Sequence, residues 1–309
     1  MQALLDVILP VFLVIGAGYL AVWKGYFSDG GVDALMKFAQ NFAIPCLLYK
    51  AMATIDLDAG FNLPLLFSYF SGSTAGFFLG LVGARLLFGR PWPDAVAIGF
   101  CCLYSNTLLT GLPITERAYG PEALAGNFAI IAVHAPYCYV LSIIAMEFAR
   151  SGGQGLAATT GQITKSILQN ALILGVLLGL LVNVTGFNVP SAVNDAVDLL
   201  STAALPAALF GLGGVLSRYK PEGDLKVSLM VCGISLAIHP LISWTAATSF
   251  ELDRDAFRSV VLTATMAPGA NAFLFANMYG VAKRVAATSV LISTVISILT
   301  VWLWLLVIP

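Results

Sequence analysis

The sequence predicts an all-α integral membrane protein with ten transmembrane helices in two inverted five-helix repeats, helices 4 and 9 being discontinuous where they cross. Three observations lead there. Of 309 residues, 59% are hydrophobic and 10% charged, which lies outside the range of soluble domains. Apolar runs of about 20 residues, enough to cross ~30 Å of hydrocarbon, follow one another with short joints. Two of these runs carry helix-breaking residues at corresponding places in the two halves.

The runs fall at about residues 3–22, 32–53, 64–87, 94–118, 122–148, 165–184, 192–216, 226–249, 255–280 and 284–307. The first, MQALLDVILPVFLVIGAGYLAVW, lacks the basic leader and small-residue cleavage site of a signal peptide, so it is expected to span the membrane. The longest polar interval, Arg150 to Lys165, is Gly- and Thr-rich and divides the chain into halves 1–150 and 165–309. Five cysteines (Cys46, Cys101, Cys102, Cys138 and Cys232) sit inside apolar runs without metal-ligand spacing and read as small buried hydrophobes. No metal or organic cofactor is expected. Basic residues set the orientation: ten flank the odd-numbered joints and four (Lys50, Arg117, Arg254 and Arg258) the opposite side. That bias puts the odd loops in the cytoplasm and both termini on the extracytoplasmic side. A net charge of −1 says nothing about partners beyond the lipid bilayer, and no nucleic acid is expected.

Residues 25–53 align with 186–214. Gly25 meets Gly186, Val32 meets Val193, Ala43 meets Ala204, Pro45 meets Pro206 and Leu48 meets Leu209, all at one offset of 161 residues. Asp94-Ala95 and Asp255-Ala256 keep that offset, while Tyr119-Gly120 and Tyr279-Gly280 differ by 160. Lys37 and Asp198 also correspond, and both are expected to be interfacial rather than an ion pair. Five spans per repeat is an odd number, which forces the second copy to be inverted. Inverted repeats with broken helices at mid-membrane are characteristic of secondary transporters.

The ninth run contains MAPGANAF (266–273) and the fourth LYSNTLLTGLP (103–113). Proline removes a donor and glycine loosens the chain, and Ser105, Asn106 and Thr107 are helix-capping types. In both runs a second half-helix is expected to begin near the membrane centre, at about Leu108 and about Ala270. Each N-terminus carries roughly half a positive charge, so two together suit a carboxylate. The candidate binding residues are therefore Ser105, Asn106, Thr107, Thr110, Pro268, Gly269, Asn271 and His134. Asn106 is expected to cap the outward half-helix and donate to the carboxylate, with Asn271 doing the same in the other half. Thr107 and Thr110 offer hydroxyls either to substrate or to their own backbone. His134, an ionisable group inside a span, is either functional or a neutral histidine satisfied by a neighbour. For His239, beside Pro240, the structural reading is preferred.

These segments resemble the auxin efflux carrier family, within the set that includes bile-acid-type sodium symporters. SNTLLTGLPITERAYG (105–120) is similar to its fourth-span signature, and MAPGANAFLFANMYGV (266–281) to its ninth, through Pro268, Gly269, Ala276 and Tyr279. FAIPCLL (42–48) resembles its second-span proline segment. The resemblance implies a scaffold of spans 1, 2, 6 and 7, a transport domain of spans 3–5 and 8–10, and a homodimer through scaffold helices 2 and 7. It also implies a place in the cell inner (plasma) membrane and carriage of a carboxylate, in bacterial members a small one such as malonate or malate. Plant members usually have proline at both crossings; Ser105 stands in the fourth-span place here.

The expected function is secondary transport of a small organic anion by an elevator-type displacement of one six-helix domain. An uncoupled uniporter, or a channel-like exporter of aromatic carboxylates, is the alternative. The central parts of spans 3–5 and 8–10 hold no Asp or Glu, which weighs against a carboxylate proton relay and leaves Na+ or H+ as possible coupling ions. No GxSxG motif or paired mid-membrane aspartates occur, so no enzyme activity is expected.

Overall fold

The computed structural model describes residues 4–54, 62–151, 171–219 and 224–309. Among these residues all regular structure is helical. The expected linker falls, after Ser151, outside them. The chain packs as two compact units. One comprises the described residues of Val11–Gly60 and Thr160–Arg218, the other those of Met1–Pro10, Phe61–Thr159 and Tyr219–Pro309.

The smaller unit holds α1 (Leu9–Trp23), α2 (Asp29–Phe38), α3 (Ile44–Thr54), α8 (Ala171–Thr185) and α9 (Ser191–Leu216). A wide turn at Ala39–Ala43 joins α2 to α3 without ending the helix. Ser28 starts α2, its Oγ accepting from the Gly31 N–H at 3.1 Å. Gly25 and Gly186, matched in the sequence, take positive φ of 77° and 63° in the turns before α2 and α9. In lipid, helices associate through close packing of small residues rather than hydrophobic collapse. Here Gly18 of α1 lies against the Phe210 carbonyl of α9, and Gly213 of α9 against the Ile15 carbonyl of α1. Gly175 and Gly179 of α8 do the same against Pro45 and Tyr49 of α3. Aliphatic side chains such as Leu13, Leu20, Leu181 and Leu199 stay exposed, as on a surface facing hydrocarbon. Asp198 pairs with Lys50 at 2.7 Å, and Arg218 with Asp29 and Asp33 at 2.9 and 2.7 Å.

The larger unit holds α4 (Leu63–Phe88), α5 (Trp92–Leu103), α6 (Leu112–Tyr119), α7 (Ala125–Ser151), α10 (Leu225–Gly233), α11 (His239–Ser249), α12 (Arg254–Ala264), α13 (Asn271–Tyr279) and α14 (Lys283–Val307). Glycines again set the contacts. Gly80 of α4 meets Cys102 of α5, and Gly72 of α4 meets His239 and Ser243 of α11. Gly120 and Gly280, a second matched pair, end α6 and α13 with φ of 87° and 75°. Each preceding tyrosine lies under an arginine, Tyr119 under Arg258 and Tyr279 under Arg150. Arg117 donates to the Asp6 carbonyl and Arg258 to that of Pro309, so both chain ends lie beside basic residues expected on one side of the membrane.

Six helices among the described residues are long and apolar enough to cross a membrane. The other four expected spans differ from these for physical reasons. The α2–α3 stretch contains Asp29, Asp33, Lys37 and Lys50. The α8 span begins beyond the described residues. The fourth and ninth runs are both interrupted. Replacing Gly213 with Ala drives a Cβ into the Ile15 carbonyl and should cost about 1–3 kcal/mol. A thermal melt in detergent should fall by several degrees, whereas Gly16→Ala, with open space around it, should leave the melt unchanged.

Candidate functional site at two helix breaks

Helix α5 ends where the Tyr104 N–H donates to the Phe100 carbonyl and Tyr104 turns to φ −92°, ψ 85°. Helix α12 ends at Thr265, whose hydroxyl donates to the Leu262 carbonyl at 2.7 Å. The two loose ends then pair with each other. Ser105 and Pro268 stand opposite one another in a single antiparallel bridge. The Asn106 N–H donates to the Ala267 carbonyl at 2.8 Å, and the Gly269 N–H to the Tyr104 carbonyl at 2.9 Å. Ser105 and Pro268 form the pair between these two bonds, a position where the backbone nitrogen has no cross-strand partner to lose. Proline is therefore compatible with the bridge despite its missing donor.

Both chains resume as helices directly beyond the bridge. A wide turn at Thr107–Gly111 leads into α6, with the Thr110 and Gly111 N–H groups both donating to the Asn106 carbonyl. Helix α13 opens with the Ala272 N–H on the Gly269 carbonyl at 2.9 Å. Helix geometry leaves the amides of Leu108, Leu109, Ala270 and Asn271 without a carbonyl one turn behind them. Two positive helix ends thus start on either side of one bridge.

The structure brings the eight candidate residues together and revises several roles. Asn106, a buried residue, occupies the cap position, but its side chain makes no capping hydrogen bond. The wide turn brings the Thr110 and Gly111 amides to the Asn106 carbonyl. Asn271 is not a second Asn106, because it lies inside the first turn and its Nδ2 donates to the Tyr104 hydroxyl at 2.7 Å. The Thr110 hydroxyl donates to the Asn106 carbonyl at 2.9 Å, the backbone option of the two. Thr107 is buried beside it. Gly269 packs against the Tyr104 ring and the Asn106 Cα. Nε2 of His134 lies 3.1 Å from the Ser105 carbonyl. The free amides are also fewer than the sequence suggested, since those of Asn106 and Gly269 are consumed by the bridge.

Three residues were not singled out as site candidates from the sequence. Tyr104 accepts from Asn271 and meets the His134 ring edge-on, with centroids 4.6 Å apart. His239, first residue of α11, places Nδ1 3.4 Å from the Ser105 hydroxyl. Asn127 of α7, fully buried, donates to Thr115 of α6 at 3.1 Å and Thr263 of α12 at 2.8 Å, tying the two interrupted segments together. An amide inside an apolar run was the available signal for Asn127, and an ionisable group inside a span for His239.

Residues 3–305 match the family described as "Membrane transport protein", and the chain belongs to that family, which includes the auxin efflux carriers. It is 24% identical over 305 residues to a Rhizobium meliloti protein described as "Putative malonate transporter", covering 97% of this chain and 94% of that one. It is 20% identical over 302 residues to the "Uncharacterized transporter YfdV" of Escherichia coli (97% and 96% covered). It is 21% identical over 340 residues to "Auxin efflux carrier component 5" of Arabidopsis thaliana (95% and 93% covered).

Asn127→Ala should strand the Thr115 and Thr263 hydroxyls in the interior and cost about 1–3 kcal/mol. The check is a thermal melt in detergent, which should fall by several degrees.

Proposed function

We propose that this chain is a secondary active transporter of small organic anions, a mono- or dicarboxylate such as malonate or malate, bound where the fourth and ninth spans cross. The observation that carries the proposal is the Ser105–Pro268 bridge, which sets two half-helix N-termini beside each other. Each contributes roughly half a positive charge and unpaired amides, so a carboxylate finds about one compensating charge there. Backbone charge of this kind needs no lysine or arginine, and neither stands among the candidate residues. Asn106 is the side chain free to donate, because it has no capping bond to break.

Ten spans in two inverted repeats, halves 1–150 and 165–309, belong to the same proposal. The left-handed glycines at Gly25 and Gly186, and at Gly120 and Gly280, support the repeat. The division into two compact units, both breaks lying in the larger, supports elevator-type displacement of spans 3–5 and 8–10 as one body. Spans 1, 2, 6 and 7 form the scaffold in that scheme, with a homodimer through helices 2 and 7. The excess of basic residues at the odd joints favours cytoplasmic odd loops and extracytoplasmic termini in the inner (plasma) membrane. The malonate description of the R. meliloti relative favours a small dicarboxylate as cargo.

Asn106→Ala should lower uptake of labelled malonate into proteoliposomes about 10- to 100-fold, the worth of one hydrogen bond to a charged group. The detergent melt should stay within a degree or two of wild type. Unchanged uptake would remove Asn106 from the site, and absence of trans-stimulation by internal malonate would exclude a carrier.

A further inference from the structure

The chain contains two histidines, and both reach the same residue. His134 of α7 approaches the Ser105 main chain and His239 of α11 its side chain. Ser105 is half of the bridge that joins the two breaks. A carbonyl only accepts, so Nε2 of His134 carries the hydrogen that it donates to Ser105. In the neutral ring Nδ1 then holds a lone pair, facing the Tyr69 hydroxyl at 3.5 Å and Cys138 Sγ at 3.7 Å. His239 is fully buried, and its Nε2 has no well-formed hydrogen bond, although the Tyr69 carbonyl is within its reach. An unmatched imidazole nitrogen in an apolar interior is costly, and its presence calls for an explanation.

The titratable groups facing the pair are few. Tyr69 of α4 stands between the rings, 5.7 Å from His134 and 5.3 Å from His239 by centroids. Tyr104 of α5 and Cys138 of α7 complete the set around His134, and Gly72 and Ser243 pack beside His239 without titrating. Among the described residues no carboxylate, lysine or arginine forms an ion pair with either ring. Each neutral imidazole offers one lone pair for a proton, and burial opposes that proton unless an anion shares the site.

Charge then decides the stoichiometry. Two half-helix ends supply about one positive charge, which matches a monoanion and leaves the second charge of a dicarboxylate uncompensated. One imidazolium supplies the missing unit. His134, the Ser105–Asn106 peptide and the Ala267 carbonyl form a hydrogen-bonded chain through the bridge. A proton on His134 therefore polarises the peptides of the bridge that stands between the two half-helix ends. A second proton is opposed by like charge across a single serine.

We propose that His134, Ser105 and His239 form a proton-binding site that takes up one proton with each dicarboxylate, making this protein a proton–dicarboxylate symporter. This rests on the anion-carrier reading above and adds the coupling ion to it. An imidazole nitrogen takes the proton from the aqueous phase that delivers the anion and returns it to the phase that receives the anion. No covalent bond to carbon changes. Anion and imidazolium stabilise one another, so acid tightens malonate binding and alkali loosens it, by up to about tenfold per pH unit for one linked proton.

The test uses the full-length protein in proteoliposomes with the voltage clamped, comparing wild type with His134→Gln, His239→Gln and Ser105→Ala. In wild type, a proton gradient acid on the side of malonate addition should drive labelled malonate above its equilibrium level. Each histidine variant should lose that accumulation and show a flattened pH profile of malonate affinity. Because malonate titrates identically in every sample, the difference between variant and wild type reports the protein alone. Should His134→Gln not fold by gel filtration, His239→Gln and Ser105→Ala decide, since neither disturbs the His134 contact with the main chain. Wild-type malonate transport with gradient drive and pH profile unchanged in the folded variants overturns the proton site and leaves the anion carrier standing. Failure of wild type to move malonate in exchange or uptake overturns the carrier reading and this one with it.

Discussion

A helix interrupted within an apolar medium has to find partners for the backbone groups it frees, and in this protein each of two interruptions supplies the other's. One antiparallel bridge, with two hydrogen bonds of 2.8 and 2.9 Å, satisfies the amides of Asn106 and Gly269 and the carbonyls of Tyr104 and Ala267. An unmade hydrogen bond in hydrocarbon costs several kcal/mol. Each break would leave two of these groups unpaired without the other. Their mutual pairing explains why proline sits at one of them without penalty and why serine suffices at the other.

The bridge also orders the chemistry around it. By using the amides nearest the breaks, it leaves the first-turn amides of the two resumed helices as the unspent donors, and these begin side by side. The surrounding side chains hold that arrangement rather than create it. Asn271 is tied to Tyr104, Thr110 to its own backbone, and Asn127 couples α6 to α12 through two threonines. The proposed anion site draws on peptide dipoles, which do not have to be desolvated as a lysine would. Close glycine contacts throughout both units serve the same end. They let helices approach to backbone distance, where packing replaces the hydrophobic effect that lipid cannot supply.

Particular residues show how far local reasoning reaches. MAPGANAF and LYSNTLLTGLP marked the breaks because Pro, Gly, Ser and Asn have no other business in the middle of an apolar run. The half-helix starts expected near Leu108 and Ala270 lie within a residue of Thr107, where the wide turn begins, and of Asn271. The roles of the asparagines were less accessible. A capping side chain and an uncapped one have the same sequence, and only the wide turn after Asn106 decides between them. His239 lay hidden for a related reason. Its neighbour Pro240 offered a sufficient local explanation, while the serine it meets, Ser105, stands 134 residues away.

The sequence by itself determined that the chain is a helical membrane protein and where two helices must break, because length, hydropathy and backbone chemistry are local properties. Which orphaned amide meets which carbonyl, whether Asn106 caps or stays free, and that both histidines arrive at one serine were decided by tertiary structure alone. Those outcomes depend on helices far apart in the chain being brought to hydrogen-bonding distance, and no local pattern encodes a distance.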